Sequence, residues 1–210
     1  MKLPDFSAEP RLMPPPVIHR GRRVTLHPQD PAGDAVELFA ISHGGAQKEA
    51  LWRYLPVGPF EDAGDLRTFL ASWQSSPDVL SFTVREAGSG AAIRSISLVN
   101  LRPAHGVAEL GNIWFTPAAQ GTGANPEANF LLLRHCFEDL GYRRMEWKCN
   151  ALNEPSRRAA QRLGFSFEGT FRQHMIVKGE NRDSAWFAMM DHEWPLVKAR
   201  LEEESGAPGA

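Results

Sequence analysis

The chain has only two cysteines, Cys136 and Cys149, in 210 residues. Both stand among apolar neighbours, without the close spacing or histidine partners of a zinc site, so they read as reduced thiols and no metal is expected. No segment approaches the roughly 20 apolar residues of a membrane span, and the start Met1-Lys2-Leu3-Pro4-Asp5 has no continuous apolar stretch. Nor does one sign of charge dominate: 23 Lys+Arg stand against 25 Asp+Glu, a formal charge of −2. Such a balance builds no global field to gather nucleic acid or anionic membrane. These absences predict a soluble, cytoplasmic protein with neither nucleic acid nor membrane among its partners. There is also no internal repeat.

What is present suits one substantial core, with 42% hydrophobic residues, twelve Phe and six Trp. Residues 1–20, with Pro14-Pro15-Pro16, read as a proline-rich arm, because proline removes amide donors and disfavours helix and sheet. Residues 21–201 read as a single domain. Residues 202–210, starting Glu202-Glu203-Glu204, read as a frayed helix end and tail. Within the domain, strands are predicted at Val24–Leu26, Leu80–Arg85, Ala92–Leu98, Ala108–Phe115, Arg144–Cys149, Phe165–Phe171 and Ala185–Met190. Helices are predicted at Ala35–Ile41, Ala63–Gln74, Pro126–Leu140 and Pro155–Leu163. Glu86-Ala87-Gly88-Ser89-Gly90 offers hairpin-turn chemistry. The order is mixed α/β, with strands before and between helices.

The most informative segment is Gln120-Gly121-Thr122-Gly123-Ala124-Asn125-Pro126-Glu127, between a strand and an amphipathic helix. Small residues let backbone amides approach an anion, and a helix N-terminus adds unpaired N–H groups. A plain connector is the alternative, since the loop has neither Walker nor Rossmann glycine spacing.

Followed by a strand, then Asn153-x-x-Ser156 opening a helix that ends Arg162-Leu163-Gly164-Phe165, this loop resembles the acetyl-CoA core of the GNAT N-acetyltransferases. Phe167-Glu168-Gly169-Thr170-Phe171-Arg172, Gly179, Arg182-Asp183 and Glu193-Trp194 resemble the C-terminal half of RimJ/RimL-type members. The resemblance spans about Gly21 to Leu201. It implies the GNAT acyl-CoA N-acyltransferase fold, an α/β (α+β) arrangement in which helices flank a mixed, mostly antiparallel central sheet. It implies an acyl-CoA-dependent N-acyltransferase using acetyl-CoA, or another short acyl-CoA such as succinyl-CoA. The acceptor would be an amine of a protein N-terminus, peptide or small metabolite, attacking directly in a ternary complex. Relatives of this type often form homo-oligomers. The alternative is a non-catalytic acyl-CoA-binding or sensor protein on a degenerate GNAT fold.

By position, Gln120, Gly121, Thr122, Gly123, Ala124 and Asn125 would meet the CoA pyrophosphate. Trp114 and Phe115 would line the pantetheine arm through their backbone, and Asn153 and Ser156 would face the CoA arm and thiol. Asn125 replaces the family's usual Gly or Ala, and Pro126 lacks an N–H; as N-cap and first helical residue the pair also makes a good helix start.

Acyl transfer needs a base for the amine and a proton for the leaving thiolate. Glu109 matches a strand glutamate that serves as base in some GNAT enzymes, and is equally readable as a paired strand carboxylate. Ser156 matches a serine near the thiol in RimL-type enzymes, and also suits the first turn of a helix. Ala160 stands where many relatives carry tyrosine, and Met175 where RimL-type enzymes carry a second carboxylate. His174, Phe171 and Met175, with Trp52 and Phe60, would form an acceptor pocket, although core packing accounts for them too. Arg157 and Arg158 would meet phosphate or solvent. Arg182 and Asp183 read as a structural pair.

Overall fold

The computed structural model describes residues 9–116 and 124–205. Gln120, Gly121, Thr122 and Gly123 lie outside the described residues. Among the described residues, eight strands form one sheet in the order β1-β2-β3-β4-β5-β6-β8-β7. They are β1 (His19–Arg20), β2 (Val24–Pro28), β3 (Leu80–Glu86), β4 (Ala92–Arg102), β5 (Val107–Phe115), β6 (Arg144–Asn150), β7 (Ser166–Val177) and β8 (Glu180–Met190). Neighbours are antiparallel except β5 and β6.

Side-chain caps set the starts of three helices. In α1 (Pro31–Ser42), Asp30 accepts from Ala32 N and Pro31 supplies the first-turn proline; in α3 (Ala63–Gln74), Asp62 accepts from Gly64 N and Asp65 N. A short α2 (Ala46–Glu49) and a 3₁₀ turn (Ala50–Trp52) lie between them. In α4 (Ala124–Arg134) the Glu127 carboxylate accepts from the amides of Arg22, Arg23 and Val24, tying the helix to the start of β2. The expected helix to Leu140 instead widens into a π turn at His135–Asp139. For α5 (Glu154–Leu163), Asn153 accepts from Ser156 N and left-handed Gly164 (φ 98°) closes the end. The last helix, α6 (Trp194–Ser205), extends through the first residues of the expected tail.

Thr83 Oγ1 donates to Asp34 of α1, whereas its neighbours Phe82 and Val84 share a core cluster with Leu131 and Leu132 of α4. Alternation along β3 therefore puts α1 and α4 on opposite faces of the sheet. A second cluster joins Leu38, Trp52, Leu66 and Leu70 to Ala92 and Trp114. The described part of the expected arm is not separate from this body: Arg11 N donates to Pro103 O, Tyr142 Oη donates to Leu12 O, and His19–Arg20 pair with β2. The three prolines end before the pairing residues, so they do not block it. Cys136 and Cys149 are buried and free. Among the described residues no helix is long and apolar enough to cross a membrane.

Candidate active site

The parallel pairing of β5 with β6 covers only Val107↔Arg144, Ala108↔Met145 and Glu109↔Glu146. Beyond Glu109 the strands part: β5 stays with β4 as far as Phe115, while β6 follows β8 to Asn150↔Ser184. Two irregularities shape the gap. Register slips between Ser95 and Ser97 of β4 opposite β5, where Asn112 has φ 48°, and again between Val99 and Arg102, where Asn100 has φ 49°. Gly111 fits between them because a Cβ there would come within 2.8 Å of Val99 Cγ2. The result is a cleft of about 390 Å³ whose walls include Glu109, Asn112, Lys148, Asn153, Ser156 and Arg182.

Glu109 is 3% exposed. Asn100 Nδ2 (2.6 Å) and Lys148 Nζ (2.9 Å) both converge on its Oε2. Oε1 takes no hydrogen bond from the described residues. Burial, opposed by Lys148 and Asn100, pushes the Glu109 carboxyl above its ordinary range. Its register partner Glu146 is also buried, and accepts from Arg102 and Arg144 at 2.7 Å each.

Ser156 sits in the first turn of α5. Its Oγ accepts the indole N–H of Trp147 at 3.0 Å, and its backbone N–H donates to Asn153 Oδ1 at 3.2 Å. The adjacent Cys149 thiol is raised by burial, with a hydrogen bond to Ser156 pulling the other way. The Asn153 cap and the strand end thus bring Asn153, Ser156 and Glu109 to one cleft.

Other expected site residues lie elsewhere. Trp52 is fully buried, donates through Nε1 to Ser42 O, and packs on Trp114 and Phe60; its neighbour Leu51 faces the cleft instead. The Trp114 side chain belongs to that same core, at 2% exposure. Phe171 stacks on Trp186, and His174 bonds Ser184 Oγ at 2.9 Å; neither lines the cleft, whereas Met175 does. Ala124 and Asn125 form the first turn of α4. Arg157 and Arg158 pair with Glu154. Arg182 and Asp183 are not a pair. Adjacent on a strand, they face opposite ways: Arg182 lines the cleft, and half-buried Asp183 accepts from Gln173 N and Asn181 Nδ2. Lys148 and Arg182 were the cleft cations missed from sequence; alternation of β6 from Glu146 would have flagged Lys148. Among the described residues no group could hold a metal ion.

Among the described residues the sheet parts at its one parallel pair, with a carboxylate and a hydroxyl on the walls of the gap. Residues 23–166 match the model of the acetyltransferase (GNAT) domain, and the chain belongs to that family. It is therefore an acetyltransferase enzyme. A GCN5-related N-acetyltransferase structure from Brucella melitensis has 41% identity and a TM-score of 0.89, covering 93% of this chain and 88% of that one. The Bacillus subtilis protein provisionally named ribosomal N-acetyltransferase YdaF is 27% identical over 77% of this chain and 88% of its own length. Mycobacterium smegmatis RimJ, solved with CoA-disulfide, shares the fold at 22% identity with a TM-score of 0.77, over 91% of this chain and 96% of that one.

Proposed function

We propose that the protein transfers an acetyl group from acetyl-CoA to a primary amine of a peptide, protein N-terminus or small molecule, by direct attack in the β5/β6 cleft. The observation that carries this is the parting of the two strands just past Glu109, with Ser156 on the facing wall. The residues present fit the thioester: past Glu109 the β5 backbone has no pairing to β6, so its polar groups on that side can pair with an extended amide-bearing arm.

Glu109 Oε1 takes a proton from the acceptor ammonium, and burial, by raising this carboxyl above its ordinary range, makes it a stronger proton acceptor than an exposed glutamate. The free amine then attacks the thioester carbonyl carbon; the C–N bond forms and the C–S bond breaks. The nitrogen gives up a proton as the amide forms, and the departing thiolate gains one. Ser156 Oγ, which accepts from Trp147 and also bonds the Cys149 thiol, turns its hydrogen to the departing sulfur and is reprotonated from the nitrogen side.

An amine panel with acetyl-CoA, followed by release of free thiol, tests this reading. Amine-dependent release is expected. Binding of acetyl-CoA with no release for any amine would return the protein to an acyl-CoA-binding role without turnover.

A further inference from the structure

Arg182 is 7% exposed, stands opposite Met175 at the β7/β8 pairing, and lines the same cleft as Glu109 and Ser156. Its guanidinium makes no hydrogen bond or ion pair with any described residue, and Nε is shut off from solvent as well. No carboxylate on the cleft wall bonds it: Glu109 acts on Arg182 only through space, with its Oε2 held by Lys148 and Asn100, and Asp78 accepts from Ser76 Oγ. Burying a cation without a hydrogen-bonded counter-charge is costly, and such a cation persists where a ligand supplies the partner. A second orphaned donor, Asn112 Nδ2, is on the same wall.

We infer that Arg182 seats a carboxylate carried by one of the two substrates, either on the acyl group, as in a succinyl thioester, or on the acceptor amine. A guanidinium fork matches a carboxylate with two parallel hydrogen bonds. A single negative charge balances Arg182, whereas a doubly charged phosphate would add net negative charge beside Glu109. The inference rests on the acyl-transfer reading of this cleft and names a chemical class within it.

Calorimetry on the wild type and Arg182→Gln separates the two sources. One arm compares succinyl-CoA with butyryl-CoA; the other compares N-acetylalanine with N-acetylalaninamide on CoA-loaded protein. The expected result is binding about tenfold or more tighter for the carboxylate member of one arm, as one charged hydrogen-bonded pair provides. That ratio falls to about one in Arg182→Gln while acetyl-CoA affinity is unchanged. Ratios near one in both wild-type arms overturn the inference, as does a preference that survives Arg182→Gln. Should Arg182→Gln lose acetyl-CoA as well, the wild-type ratios decide together with Arg182→Lys, which keeps part of the preference. A wild type that binds no acetyl-CoA overturns the acyl-transfer reading itself, whereas acetyl-CoA binding with flat ratios removes only the carboxylate.

Discussion

In a Glu109→Gln variant the amide oxygen can occupy the place of Oε2 and keep both hydrogen bonds, from Asn100 and Lys148. Shape is retained and charge is lost. Because burial outweighs those two partners and raises the carboxyl, the native state holds this proton more tightly than the unfolded chain does. Wild-type stability at this group is therefore greatest at low pH, and falls as pH rises from the ordinary glutamate value to the raised native one. The variant does not titrate there, so its melting temperature gains on wild type across that interval. Glu109→Ala differs, since it strands both donors. With the Lys148 side chain 22% exposed and partly hydrated, the loss is about 2 kcal/mol, or roughly 4–8 °C for a chain of this size. Activity separates from stability: removing a general base lowers kcat/KM by about 10²- to 10⁴-fold, and Glu109→Gln loses the acidic limb of the pH–rate profile. Thiol-release rates and melts over one pH series measure both. A Glu109→Gln enzyme with wild-type kcat/KM and an unchanged pH profile would refute the assignment.

Ser156→Ala should lower kcat about tenfold or more while acetyl-CoA affinity stays within about threefold, below half a kcal/mol in binding; an equal loss of affinity would make Ser156 a binding residue only. Glu146→Gln removes the charge shared by Arg102 and Arg144 in a site 5% exposed, so a loss of about 3 kcal/mol, or roughly 6–12 °C, is expected in thermal melts. A shift of under about 1 °C would show that solvent replaces the carboxylate there.

Much of the scaffold was legible because its signals are local. Asp62 before an apolar-spaced run marks Ala63–Gln74, and Asn153 with Pro155 and Gly164 brackets α5. The second half of β7 was not, because residues 172–177 belong to an exposed edge strand whose partner β8 covers only one side, so no hydrophobic alternation marks it. At the site, Glu109, Asn153 and Ser156 were named from sequence and share the cleft. Asn100 and Asn112 were not, since they depend on irregular positive-φ positions that no residue pattern announces. Trp52 looked like a pocket aromatic, yet its indole is spent inside the second core. Arg182 was misassigned because a neighbouring acid suggests pairing, while strand geometry sends adjacent side chains apart.

The central claim, that acetyl-CoA occupies the gap between β5 and β6, is tested most directly by calorimetric titration of wild type and Ser156→Trp, which places an indole in that gap. Micromolar binding by wild type, lost in a Ser156→Trp protein that still melts cooperatively, is the predicted result. Binding of equal strength in both, or in neither, would contradict it.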